Sequence, residues 1–151
     1  MNRIEVIEAR TKYVSEPHKV LTLDGVPLDV LLDSARPDLA ILGLVPALLD
    51  WLDDPREREL VWRRILPPVG SSAVAPVLMC PDDLDLWCSV VVAEVVPEES
   101  AVWWHRIGLD MSQPRLEAIG TAVNWIGGIG PHCFSRADYE RCLAAFQPAM
   151  A

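Results

Sequence analysis

The residues most able to do chemistry in this chain fall into a few groupings, and the first is the acidic turn Asp82, Asp83 and Asp85. Hard divalent cations take clustered carboxylate oxygens, so this turn is the place to look for one. It lacks the glycine and the closing glutamate of a calcium loop, which leaves solvated turn carboxylates as the simpler reading. A zinc site would have to draw on Cys80, Cys88, His105, His132 and Cys133, with no pair at the usual close spacing. Buried thiols account for the same residues. A cysteine nucleophile needs a base beside it, and His105 and His132 are the available imidazoles. His132 and Cys133 are neighbours in sequence, however, and in an extended segment their side chains point apart. Gly127, Gly128 and Gly130 follow a strand-like run as phosphate loops do, but Pro131 and the delayed helix spoil that geometry. The expectation is therefore no catalytic group, no metal site and no cofactor.

The elements that must position these residues centre on Pro76 to Leu109. In Leu86 to Val96 both alternating sets are apolar, Leu86, Cys88, Val90, Val92 and Val96 against Trp87, Val91, Ala93 and Val95, with Ser89 the polar member of the second. A strand apolar on both faces is an inner strand between two layers. Pro97 to Ser100 makes a short polar connection and Ala101 to Leu109 resumes an extended pattern, which together read as a hairpin. Ala73 to Cys80 supplies a further strand, and Pro76 places it at an edge or at its own start.

Around this sheet the spacing predicts helices near 38–53, 55–66 and 136–146. Apolar residues crowd Leu39 to Leu52, with Pro46 expected to kink that helix or begin a new one. Asp54, Pro55 and Glu57 spell a capped helix start, as do Ser135 and Asp138, where Phe134 and Tyr139 suit a hydrophobic staple. Pro27 opens a shorter helix that Pro37 ends. Ile4 to Val14, Lys19 to Leu23 and Thr121 to Ile126 read as strands, and Asp24-Gly25 as a tight turn. The fold class is thus α+β, a mainly antiparallel sheet built on the 73–109 strands with helices packed on it, in a single domain over 1–151.

With 22 acids against 13 bases the formal charge is −9, and its distribution is uneven. Residues 24–54 carry Asp24, Asp29, Asp33, Asp38, Asp50, Asp53 and Asp54 against Arg36, seven minus one, or −6. Residues 82–99 add Asp82, Asp83, Asp85, Glu94, Glu98 and Glu99 with no base. Such a surface repels phosphate backbones and anionic lipid and favours a basic partner. Four cysteines without a C-x-x-C pair, no signal-peptide pattern and no apolar run long enough to span a bilayer point to a reduced, cytoplasmic protein. Six tryptophans are expected mainly in the core, with Trp103 and Trp104 on opposite faces of one strand and Arg106 paired to a carboxylate or laid along apolar surface.

The segments LTLDGVPLD (Leu21 to Asp29), PVLMCPDDLD (Pro76 to Asp85) and WHRIGLD (Trp104 to Asp110) look like those of small acidic uncharacterised bacterial proteins. In size and charge the chain resembles immunity proteins of bacterial toxin systems, and the resemblance implies a mode of action only: an acidic surface that masks a cationic toxin. The functional expectation is a non-catalytic protein-binding inhibitor in which Asp82, Asp83, Asp85, Glu98 and Glu99, with Asp50, Asp53 and Asp54, steer and dock a basic partner. Two alternatives are a small-molecule-binding protein or enzyme with a pocket between sheet and helices, and a homo-oligomer joined through apolar surface.

Overall fold

Valine-rich β6 (Val90–Pro97) lies in the middle of the larger of two antiparallel sheets, in a computed structural model that describes residues 1–82 and 85–147. It pairs with β5 (Ala73–Met79) on one side and β7 (Ala101–Asp110) on the other. Val90 to Ala93 and Val95 are each at most 2% exposed, so both faces are covered, as the doubly apolar pattern requires. The strand begins at Val90 and not at Leu86, because 85–88 are bent away from the sheet by side-chain bonds described below. Beyond β5 lies β4 (Val45–Pro46), and β8 (Val123–Trp125) and β9 (His132–Ser135) divide the far edge of β7 between them.

Pro76 shows how the sheet tolerates a proline. β4 covers only Leu78 and Met79, so Pro76 lacks a partner on that side, and the register with β6 shifts between Pro76 and Leu78. A residue without an N–H is at home at such a bulged, open position. In β7, Trp104 is 1% exposed and Trp103 half-buried on the opposite face. A second register shift sets Glu94 against His105 and Arg106, and Arg106 turns back to pair with Glu94 at 3.1 Å while its guanidinium covers the Trp125 ring at 4.1 Å.

The smaller sheet runs β1 (Ile4–Thr11), β2 (Val14–Leu23) and β3 (Val26–Pro27), joined by a turn in which Asp24 and Gly25 have φ of 52° and 82°. Both positive angles match the hairpin turn expected of Asp-Gly. Helix α1 (Leu28–Ala35) starts directly after Pro27, and α2 (Pro55–Ile65) and α3 (Arg136–Phe146) follow their capping signals. Asp54 accepts the Arg56 N–H at 2.8 Å, and Ser135 accepts the Asp138 N–H at 3.1 Å. The rings of Phe134 and Tyr139 lie 5.9 Å apart, forming the staple.

No helix spans 38–53. The segment is a 3-10 turn (Pro37–Leu39), then Ala40 at φ 57° and Gly43 at φ 95°, then β4 and further turns. Three local facts defeat the helix. Gly43 is held in a left-handed conformation with its N–H on the buried Asp29 carboxylate at 2.9 Å, and a Cβ there would meet the Tyr13 ring at 2.6 Å. Pro46 has no N–H to donate to a helix. The apolar residues crowd every side of a helical wheel, and an irregular path buries them as well: Ile41, Leu44, Val45, Leu48, Leu49 and Leu52 are all at most 6% exposed. Its buried backbone is satisfied partly through β5, with the Ala47 N–H on the Val77 carbonyl at 3.0 Å.

An aromatic knot in the core ties the larger sheet to α2 and α3. Trp104 meets Phe134 edge-on with ring centres 5.4 Å apart, and its Nε1–H donates to the Tyr139 hydroxyl at 3.1 Å. That hydroxyl donates in turn to the Ile65 carbonyl at 2.6 Å, tying α3 to the last turn of α2. Among the described residues no helix is long and apolar enough to cross a membrane.

Candidate docking surface

The first turn of α2 and the loop between β5 and β6 are locked together by a buried carboxylate. Glu57 is 3% exposed and accepts the Leu86 N–H at 2.6 Å. Burial pushes its carboxyl above the ordinary glutamate range, the Leu86 bond pulls it back, and the charges of Asp54 and Asp85 push it up further. Asp85 accepts the Trp87 N–H at 2.9 Å, closing a turn that points the indole outward. Trp87 is 43% exposed.

This junction gathers carboxylates from two distant segments. Asp53 and Asp54 sit at the head of α2, and Asp82 and Asp85 lie in the loop bonded to it. The Arg56 hydrogen bond and charge hold the Asp54 carboxyl below its usual range, and the Arg56 guanidinium lies 2.9 Å away. Among the described residues Asp53, Asp82 and Asp85 take part in no ion pair. Asp83 lies outside the described residues.

The remaining acids stand elsewhere. Glu98 and Glu99 occupy the β6–β7 turn, separated from Asp85 by the full length of β6, about 25 Å for eight strand residues. Glu98 is committed locally: its carboxylate accepts the Trp103 Nε1–H at 2.9 Å and its carbonyl accepts Arg136 at 2.9 Å. Asp50 is exposed and borders a cleft of about 480 Å³ shared with Glu8, His18, Lys19 and Trp51. The acids read together from the sequence thus divide into a junction group, a far-end pair and a cleft residue.

Among the described residues no three His, Cys, Asp or Glu side chains converge on a point where a metal ion could be held. Burial pushes the Cys142 thiol up to about 12, far from a thiolate at neutral pH. His132 stacks parallel on Phe134 with centres 6.2 Å apart, and burial lowers its pKa. Its β9 neighbour Cys133 uses its backbone N–H to hold the Asn2 side chain at 2.9 Å. His105 is exposed and lies edge-on to Trp103. Cys80 and Cys88 flank the loop between β5 and β6.

No family model, curated protein or solved structure matches this chain. Its surface chemistry is what carries a functional reading. Two parts of the surface were not legible in the sequence. Trp87 belongs to an apolar alternation that reads as strand, and its exposure follows from Asp85 and Glu57 capturing the 86 and 87 amides. Glu57 reads as a capping acid, and nothing local marks its reach to Leu86, 29 residues away.

Proposed function

We propose that this chain is a non-catalytic protein-binding module, of the immunity type, that masks a basic partner at the α2/loop junction. The reading rests on one observation: Asp53, Asp82 and Asp85 take part in no ion pair among the described residues, and Asp85 accepts the N–H of Trp87, whose indole is 43% exposed. Uncompensated acids accelerate encounter with a cationic surface, and an aromatic side chain at the centre anchors the bound state. The resemblance to immunity proteins supplies the partner class, a cationic toxin.

The test uses the tagged chain to capture a basic partner from its source cells and from among neighbouring gene products, followed by binding kinetics. The triple variant Asp53→Asn, Asp82→Asn, Asp85→Asn is expected to slow association about tenfold or more at low salt, and to lose most of the salt dependence. Trp87→Ala is expected to speed dissociation about tenfold or more. Asp85→Asn retains an acceptor for the Trp87 N–H, so the loop keeps its shape. Unchanged kinetics in both variants, or capture of no basic protein, sinks the proposal. The small-molecule alternative rests on the 480 Å³ cleft bordered by Glu8, His18, Asp50 and Trp51, and predicts ligand-dependent thermal stabilisation that the triple variant leaves intact.

A further inference from the structure

The outer edge of β1 is an unfilled strand position. Two bonds fix which way its backbone faces: the Asp24 N–H reaches the Arg3 carbonyl on the β2 side at 2.8 Å, and the Asn2 N–H reaches the Cys133 carbonyl on the β9 side at 2.8 Å. Antiparallel pairing alternates, so Glu5, Ile7 and Ala9 bond to β2 while the N–H and C=O groups of Ile4, Val6 and Glu8 point outward. Those outward groups have no partner among the described residues. The reason lies one element away. β9 bridges Asn2 through Phe134, then Ser135 caps α3 and lifts the chain out of the sheet, so among the described residues no strand continues alongside β1. What remains is a groove of about 340 Å³ between Arg3–Val6 and the Asp138, Arg141, Cys142 and Ala145 face of α3.

We propose that the occupant is the β1 edge of a second copy of this chain, paired antiparallel about a twofold axis at Ile7. Charge selects the occupant. Residues 1–23 hold Arg3, Arg10, Lys12 and Lys19 against Glu5, Glu8 and Glu16, four minus three, or +1, in a chain of −9. Association here keeps the acidic junctions of the two copies out of the interface. Register selects the alignment. Centring on Ile7, which is 44% exposed, sets that side chain against its own equivalent and Val6 against Glu8 of the other copy. Glu5 then faces Ala9 and Arg3 faces Thr11, so no like charges sit directly opposed. Either centre sets a charged residue against Ile4, which is 4% exposed, Arg10 about Ile7 and Glu8 about Val6, so it is the pairing of the exposed Ile7 side chains that favours the first. The pairing consumes both free edges and therefore closes at two copies.

The experiment is sedimentation velocity of the full chain across a concentration series, with amide hydrogen exchange followed residue by residue by NMR. The expected result is a monomer–dimer equilibrium in which the Val6 and Glu8 amides slow as concentration rises, while the Ile7 amide, bonded to β2, is protected throughout. Ile7→Lys alters an exposed side chain and is expected to give a folded monomer. Glu8→Pro removes an outward N–H that β2 does not use and is expected to do the same. A monomer at every concentration up to that used for NMR overturns the proposal. So does a dimer that survives both substitutions, or one that forms while the Val6 and Glu8 amides stay fast. None of these outcomes bears on the acidic junction.

Discussion

Glu57 links the chemistry of a single carboxylate to the shape of the surface around it. Its folded pKa lies above the ordinary value of 4.5, chiefly because burial penalises the charged form. As pH rises, the unfolded chain therefore releases this proton before the folded chain does. The contribution of Glu57 to stability accordingly falls as pH climbs from about 4.5 through the raised folded value. Glu57→Gln keeps an acceptor for the Leu86 N–H without a buried charge, and it should flatten this part of the pH profile in chemical denaturation. Glu57→Ala leaves that N–H buried and unmet, at a cost of about 1–3 kcal/mol. It should also loosen the 85–88 loop, seen as a change in the fluorescence of Trp87.

At the scale of elements, the two capped helices are held in place by a polar contact inside an aromatic core. Tyr139 OH both accepts from Trp104 and donates to Ile65, so one hydroxyl fixes β7, α2 and α3 against one another. Burial drives its pKa well above the usual tyrosine value, which keeps it protonated and able to donate across the accessible pH range. Tyr139→Phe leaves the Trp104 N–H and the Ile65 carbonyl without this partner, and a loss of about 1–3 kcal/mol in urea denaturation is expected. Elements marked by local signals formed where the sequence placed them, the caps at Asp54 and Ser135 and the Asp24-Gly25 turn, while the valine-rich strand formed only from Val90 and lost its expected 86–89 start. The 38–53 segment did not, because a run apolar on every side states only that it is buried. Its path was set by Asp29, Tyr13 and the exposed backbone of β5.

Across the whole molecule, charge is partitioned by the fold. The N-terminal 23 residues are close to neutral, and the excess acid lies in two groups at opposite ends of β6 and along 24–54. A charge of −9 repels itself within the folded chain, and salt weakens that repulsion. The melting temperature is therefore expected to rise with sodium chloride up to about 0.15 M, where the screening length is about 8 Å. Calorimetry in a chloride series checks this, and a flat or falling trend would show that the acids are compensated locally.

The sequence by itself determined the α+β class, the central hairpin, the two main helices and the acidity of the surface. Each of these is written in short-range periodicity, capping residues and composition. Only the tertiary structure decided which acids stand together, that Trp87 faces outward, and that one strand edge is left open. These features depend on contacts such as Glu57 to Leu86 and Asn2 to Cys133, whose partners are far apart along the chain and carry no mark of one another.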